Sequence, residues 1–161
     1  MAADFLLKID EIKGEAQDKT HKDTIAVDSF SWGISNPGSY AHGGGGGAGK
    51  ANFQDMHFTA QVSKASANLA LYCASGKYIK KAVLYVRKQG EKPQEYYTVT
   101  LEDLIVSSYQ SGDAAGGSSV PTDQFALNYA KVEFQYRPQK SDQTLDSAIE
   151  MKWDLKGNAK S

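Results

Sequence analysis

The chain has 161 residues, enough for one domain over 1–161 whose folding takes about 68–70% of the unfolded surface out of water. Its 18 Lys and Arg against 19 Asp and Glu leave a net charge of -1, which lacks the basic excess of a strong nucleic-acid binder. One cysteine, Cys73, excludes an internal disulfide and a cysteine-rich zinc site, and no apolar run approaches the ~18–20 residues of a membrane helix.

The N-terminal stretch MAADFLLKIDEIKGE is not expected to be a secretory signal. Asp4, Lys8 and Asp10 interrupt its apolar run, and no basic segment precedes it. The expectation is a protein made in the cytoplasm that leaves, if it leaves, without a cleaved signal. Phe5, Leu7 and Ile9 alternate with Leu6, Lys8 and Asp10, as in a strand. Thr24 to Ser35 sets Ile25 and Val27 on one parity, then Phe30, Trp32 and Ile34 on the other. That extra step predicts a bulge near Asp28–Ser29.

After a glycine-rich stretch, Phe53 to Val62 reads as a strand with Phe58, Ala60 and Val62 on one side. Lys64 to Ser75 breaks the alternation. Ala65, Leu69, Tyr72 and Cys73 stand at helical spacing, so one short amphipathic helix is predicted over about 64–75, with Ser63 as its cap and Gly76 as its stop. Strands follow at Lys80–Lys88, Tyr96–Leu101 and Leu104–Tyr109. Phe125 to Tyr136 changes phase between Tyr129 and Val132, which predicts a bulge or a corner between sheets. Ile149, Met151, Trp153 and Leu155 form the last strand. The fold class is mainly β: a compact β-barrel of two antiparallel sheets with one short α-helix and a long Gly-rich loop.

That loop, YAHGGGGGAGKA, contains Gly44 and Gly49-Lys50 at the spacing of a phosphate loop. Such a loop needs a strand before it, a helix after it and a Ser or Thr for Mg²⁺. Here Ala51 replaces the metal ligand, SNPGSYAH is no buried strand, and NFQDMHF alternates like a strand. A hairpin between two strands is the better reading. Asp55 and His57 share one strand face, yet two ligands without further convergence make no metal site. His42 beside the glycines and His21 in a polar turn add none. Cys73 faces the helix's apolar stripe, where a thiol is inert. No nucleophile elbow occurs among the serines, and Glu102–Asp103 reads as solvated charge. Lys77, Lys80, Lys81, Arg87, Lys88 and Lys92, with Tyr78 and Tyr85, mark a basic hairpin. Sheet-edge protection or ion pairing suits it better than nucleic acid. No catalytic, cofactor or metal site is expected, and the chain is read as a non-enzyme. Ser29, Ser31, Gly33 and Ser35 oppose the apolar residues of their strand and form a small, polar face.

Taken together, FLLKIDEIKGE, DKTHKDTIAVDSFSWG, the glycine loop with FQDMHF, KASANLALYCASGKY, LEDLIVSS and MKWDLKGN resemble the Hcp family, the tube proteins of bacterial type VI secretion systems. The resemblance runs through essentially the whole chain, and no fused toxin domain is expected. It implies a β-barrel with a helix at its side, similar to phage tail-tube proteins. It also implies a homohexameric ring that stacks into a tube, meets a contractile sheath and a spike protein, and holds effector proteins in its lumen. Export would proceed through the type VI apparatus, without nucleic acid or membrane insertion. On that basis Ser29, Ser31, Gly33 and Ser35 are lumen candidates. Tyr40, His42, Gly44, Gly46 and Lys50 in the long loop, with Gly90 and Lys156, are candidates for subunit or ring contacts. A monomeric ligand-binding β-sandwich, or a phage tail-tube-like protein, is the alternative.

Overall fold

A computed structural model describes residues 3–38, 50–90, 93–117 and 120–161. The elements are β1 (Ala3–Ile9), β2 (Ile25–Val27), β3 (Ser29–Ser31), β4 (Ile34–Ser35), β5 (Asn52–Phe53), β6 (Met56–Gln61), α1 (Ser66–Ser75), β7 (Ile79–Lys88), β8 (Gln94–Gly112), β9 (Thr122–Tyr136), β10 (Ile149–Asp154) and β11 (Ala159–Lys160). Every pairing is antiparallel. The protein is mainly β with one short helix, as the alternation predicts.

Two sheets form, but they are not a closed barrel. Nine strands make one sheet in the order β11-β10-β9-β8-β7-β1-β2, with β6 added to β9 and β3 to β6. β4 and β5 pair only with each other. The large sheet curls until β2 and β3 meet through Asp28, whose N–H donates to the Thr59 carbonyl at 2.8 Å. Among the described residues no ladder runs unbroken around that corner. Asp28 is the reason: it ends the β1 pairing and shifts the phase, so Ile25 and Val27 point inward before it and Phe30 after it. The bulge expected there is a full strand break.

The predicted strands at 96–101 and 104–109 are one 19-residue strand, β8. Asp103 takes a positive φ of 54° and absorbs the change of direction. Aspartate tolerates this left-handed region better than most residues. Inward parity switches there from Val99 and Leu101 to Leu104 and Val106. On β9 it switches at the same level, between Tyr129 and Val132. Both strands therefore turn one shared corner. Beyond it β9 exchanges β6 for β10 as its second neighbour.

The core lies inside the curl. Leu7, Leu84, Val99, Leu127 and the Phe58–Phe125 stack, with centroids 5.2 Å apart, fill it. Each fully buried side chain of this size contributes about 1.5–3 kcal/mol. Ala65, Leu69 and Tyr72 bring α1 onto it. Gly76 ends α1 with φ 64°, as predicted, while the first turn differs. Ala65 is the N-cap, and Ser63 acts two residues before it: its Oγ accepts from Ala65 N–H, and its own N–H donates to Ser66 Oγ. Two residues expected inward lie outside. Ile34, on the small sheet, is 45% exposed, and Ile149, at the start of β10, is 66% exposed.

Candidate functional site

The outer surface of β3, β6, β9 and β8 carries a hollow of about 590 Å³. Two cross-strand rows build it. In one, Ser29 faces Thr59, Thr59 faces Gln124, and Gln124 faces Gln110. In the other, Ser31 faces His57, His57 faces Ala126, and Ala126 faces Ser108. Period-2 alternation sends these side chains away from the core formed by Phe30, Phe58 and Phe125. Ser29 and Thr59 join their hydroxyls at 2.5 Å. Among the described residues no Asp, Glu, Lys or Arg lines the hollow. Its lining offers hydroxyls, amides and one imidazole beside Phe30, Phe58, Tyr109 and Phe125.

Of the four polar-face residues singled out in the sequence, Ser29 and Ser31 stand in this hollow. Gly33 and Ser35 do not reach it. Gly33 accepts a backbone hydrogen bond from Gln54 at 2.9 Å, and Ser35 pairs with Asn52. The sequence reading missed Thr59, Ser108, Gln110 and Gln124. Each sits at a polar position of an alternating strand. That signal is visible, but only the register between distant strands joins it to Ser29 and Ser31.

The contact candidates spread out. Tyr40, His42, Gly44 and Gly46 lie outside the described residues. Lys50 is exposed just before β5, Gly90 is exposed after β7, and Lys156 is exposed in the turn after β10. The two flanks of the glycine-rich stretch pair as β4 and β5. A strand, not a helix, follows the stretch, so the requirement of a phosphate loop fails structurally as well as chemically.

The basic hairpin is partly tied up: Arg87, Lys77 and Lys88 are engaged, Lys80 and Lys81 are exposed, and Lys92 lies outside the described residues. Arg87, 8% exposed, lies between two carboxylates: its Nε donates to Asp4 at 3.3 Å and its Nη2 donates to Asp18. The Arg87 guanidinium holds the Asp18 carboxyl at about 2, helped by the backbone N–H groups of His21 and Thr20. Lys77 pairs with Glu11 at 3.5 Å and sits over the Tyr72 ring. Lys88 sits over Tyr96. Tyr85 is stacked on His21 at 3.9 Å and has no free face there for a base, while His21 bonds Glu95. Segment 13–24 is thereby strapped across the outer face of β7. Asp55 accepts from Ser107 and Asn128, and Cys73 is half-buried on α1. No group of three or more metal-ligating side chains converges among the described residues.

A curled antiparallel sheet with a lateral helix is the fold of a secretion-tube subunit, and four likenesses support that class. A family model described as "Type VI secretion system effector, Hcp" matches residues 6–136. Protein hcp1 of Pseudomonas aeruginosa is 42% identical over 160 residues, 98% of each chain. A solved type six secretion system protein superposes with a TM-score of 0.93 at 29% identity, covering 99% of this chain and 100% of the other. Hcp1 from Salmonella typhimurium gives a TM-score of 0.80 at 31% identity, with 100% of both chains covered. The chain belongs to the Hcp family of type VI secretion, whose role is that of a structural tube subunit.

Proposed function

We propose that this chain, as a single Hcp-like domain without catalytic activity, forms a homohexameric ring. The rings stack into the inner tube of a type VI secretion apparatus, and the hollow over β3, β6, β9 and β8 faces the lumen. The observation that carries the reading is the uncharged wall around Ser29 and Ser31. A channel that passes varied effector proteins needs a surface that hydrogen-bonds weakly and holds no fixed charge. In a ring each copy repeats one heterologous contact, while stacking uses a second that does not close. The arm between β4 and β5, including Lys50, with Gly90 and Lys156, supplies those contacts. The spike protein, the sheath and effectors are the partners. The protein is made in the cytoplasm and leaves through the apparatus without a cleaved signal. Among the described residues no helix is long and apolar enough to cross a membrane.

Native mass and ring images by electron microscopy test the assembly. A monomer throughout the micromolar range, with no rings, would overturn it. Ser31→Gln tests the wall: retention of cargo should weaken while the hexamer persists. Loss of the hexamer would instead place Ser31 in a subunit interface.

A further inference from the structure

The β4–β5 hairpin has a weak hold on the rest of the molecule. Among the described residues β4 and β5 pair over two residue pairs, Ile34 with Phe53 and Ser35 with Asn52, and neither strand joins the large sheet. An isolated two-stranded hairpin is marginal in water and needs packing or side-chain bonds to keep one orientation. Those bonds gather at its base. Gln54 N–H donates to Gly33, and the Gln54 carbonyl accepts from Tyr129 at 2.8 Å. Phe53 stacks on Trp153. The next residue, Asp55, uses both carboxylate oxygens: Oδ2 accepts from Ser107 Oγ and Oδ1 from Asn128 Nδ2, each at 2.7 Å.

Ser107 is available to Asp55 because of a bulge. On β8, Val106 pairs with Leu127 and Ser108 with Ala126, so Ser107 is an extra residue without a partner on β9. Without the bulge, consecutive residues would alternate, and only one of Ser107 and Ser108 would face outward. With it both are exposed: Ser108 joins the hollow and Ser107 reaches Asp55. Bulges re-aim side chains in this way.

We propose that Asp55 is a positioning residue for assembly. Its carboxylate clamps the base of the β4–β5 hairpin to the β8 bulge and to β9, which orients the hairpin strands that carry the proposed contact arm. The proposal rests on the reading of that arm as a subunit or ring contact.

The test compares Asp55→Ala, Asp55→Asn and Asn128→Ala with the parent chain by native mass and ring images, together with amide hydrogen exchange. Asp55→Ala should lower the ring population at least tenfold and speed exchange at residues 33–35 and 52–54, while amides of β1 and β7 stay protected. Asp55→Asn, which can bond both partners through its oxygen and its N–H, should restore rings. Asn128→Ala, which deletes one bond, should fall between them. Normal rings from Asp55→Ala overturn the proposal, and so does acceleration of exchange throughout the sheet. Should Asp55→Ala fail to fold, Ser107→Ala and Asn128→Ala carry the test, since both residues are exposed. A chain with 40–49 replaced by a shorter Gly-Ser link separates the two readings. If it forms rings normally, the arm reading falls and the proposal with it. If it forms none while Asp55→Ala does, only the proposal falls.

Discussion

Arg87 shows at the residue scale why the basic hairpin belongs to the fold. Its side chain is nearly covered, so removing either carboxylate partner leaves a poorly solvated cation. Asp18 carries the pH dependence. Its folded value of about 2 lies below its ordinary 3.8, so its contribution is complete above about pH 4 and is lost as pH falls through 2. Asp18→Asn should cost about 1–3 kcal/mol at pH 7, and the difference from the parent should close near pH 2. Urea denaturation at the two pH values checks both statements. Tyr129 marks the alkaline limit. Burial, and then the charge of Asp55, push its phenol up to about 12. The folded state therefore holds this proton more tightly than the unfolded chain, and stability declines as pH rises from about 10 towards 12. Tyr129→Phe removes that component, at the loss of its bond to Gln54. Denaturation curves between pH 9 and 12 should then be flatter for the variant than for the parent.

At the scale of elements, the strap over 13–24 depends on a close approach that no side chain permits. A Cβ at Gly14 would lie 2.3 Å from the Thr24 carbonyl oxygen and 2.8 Å from the Ile25 Cα, both backbone atoms that cannot rotate away. Gly14 N–H also donates to Asp23 at 2.8 Å, which closes the strap on itself. Gly14→Ala should displace the strap, lose the Asp18–Arg87 and His21–Tyr85 contacts with it, and cost about 2 kcal/mol or more. Thermal melts give the loss, and faster exchange at residues 14–24 gives its location. This strap was not legible in the sequence, where DKTHKD reads only as a polar turn. Its partners Arg87 and Glu95 are far along the chain, and side-chain pairing at such separation leaves no periodic trace. Local signals fared better. Gly76 ended α1, the phase step at Asp28 became a break, and the phase step after Tyr129 became a corner. The corner on β8 reads in the sequence as a gap between two strands, because Asp103 bends one continuous strand through a positive φ without a glycine to announce it.

For the whole molecule, charge is sorted by face. Where β8, β9 and β10 run together, outward positions hold Glu102, Lys131, Glu133 and Lys152, with Lys152 Nζ 3.8 Å from Glu133. Past the corner the same two strands present Ser108, Gln110 and Gln124 to the hollow. The corner at Asp103 thus separates a salt-bridged patch from a hollow whose described lining is uncharged, although the Asp55 carboxylate, bonded to Ser107 and Asn128, lies on that side too. Half of this was readable in advance, since Ser29 and Ser31 mark the neutral strand, but the rest of the wall depends on which strands become neighbours. Gln124 is exposed and nearly isosteric with glutamate. In a hexamer, Gln124→Glu sets six carboxylates around one axis. Rings should keep their mass, because the side chain leaves the core and the backbone ladder untouched. Retention of an acidic cargo should fall at low ionic strength and recover in high salt, where the screening length shrinks from about 10 Å at 0.1 M to about 3 Å at 1 M. The parent chain, whose hollow carries no fixed charge, should show little salt dependence. Co-purification of cargo at the two ionic strengths checks this, and equal retention by parent and variant at low salt would place the hollow away from the cargo.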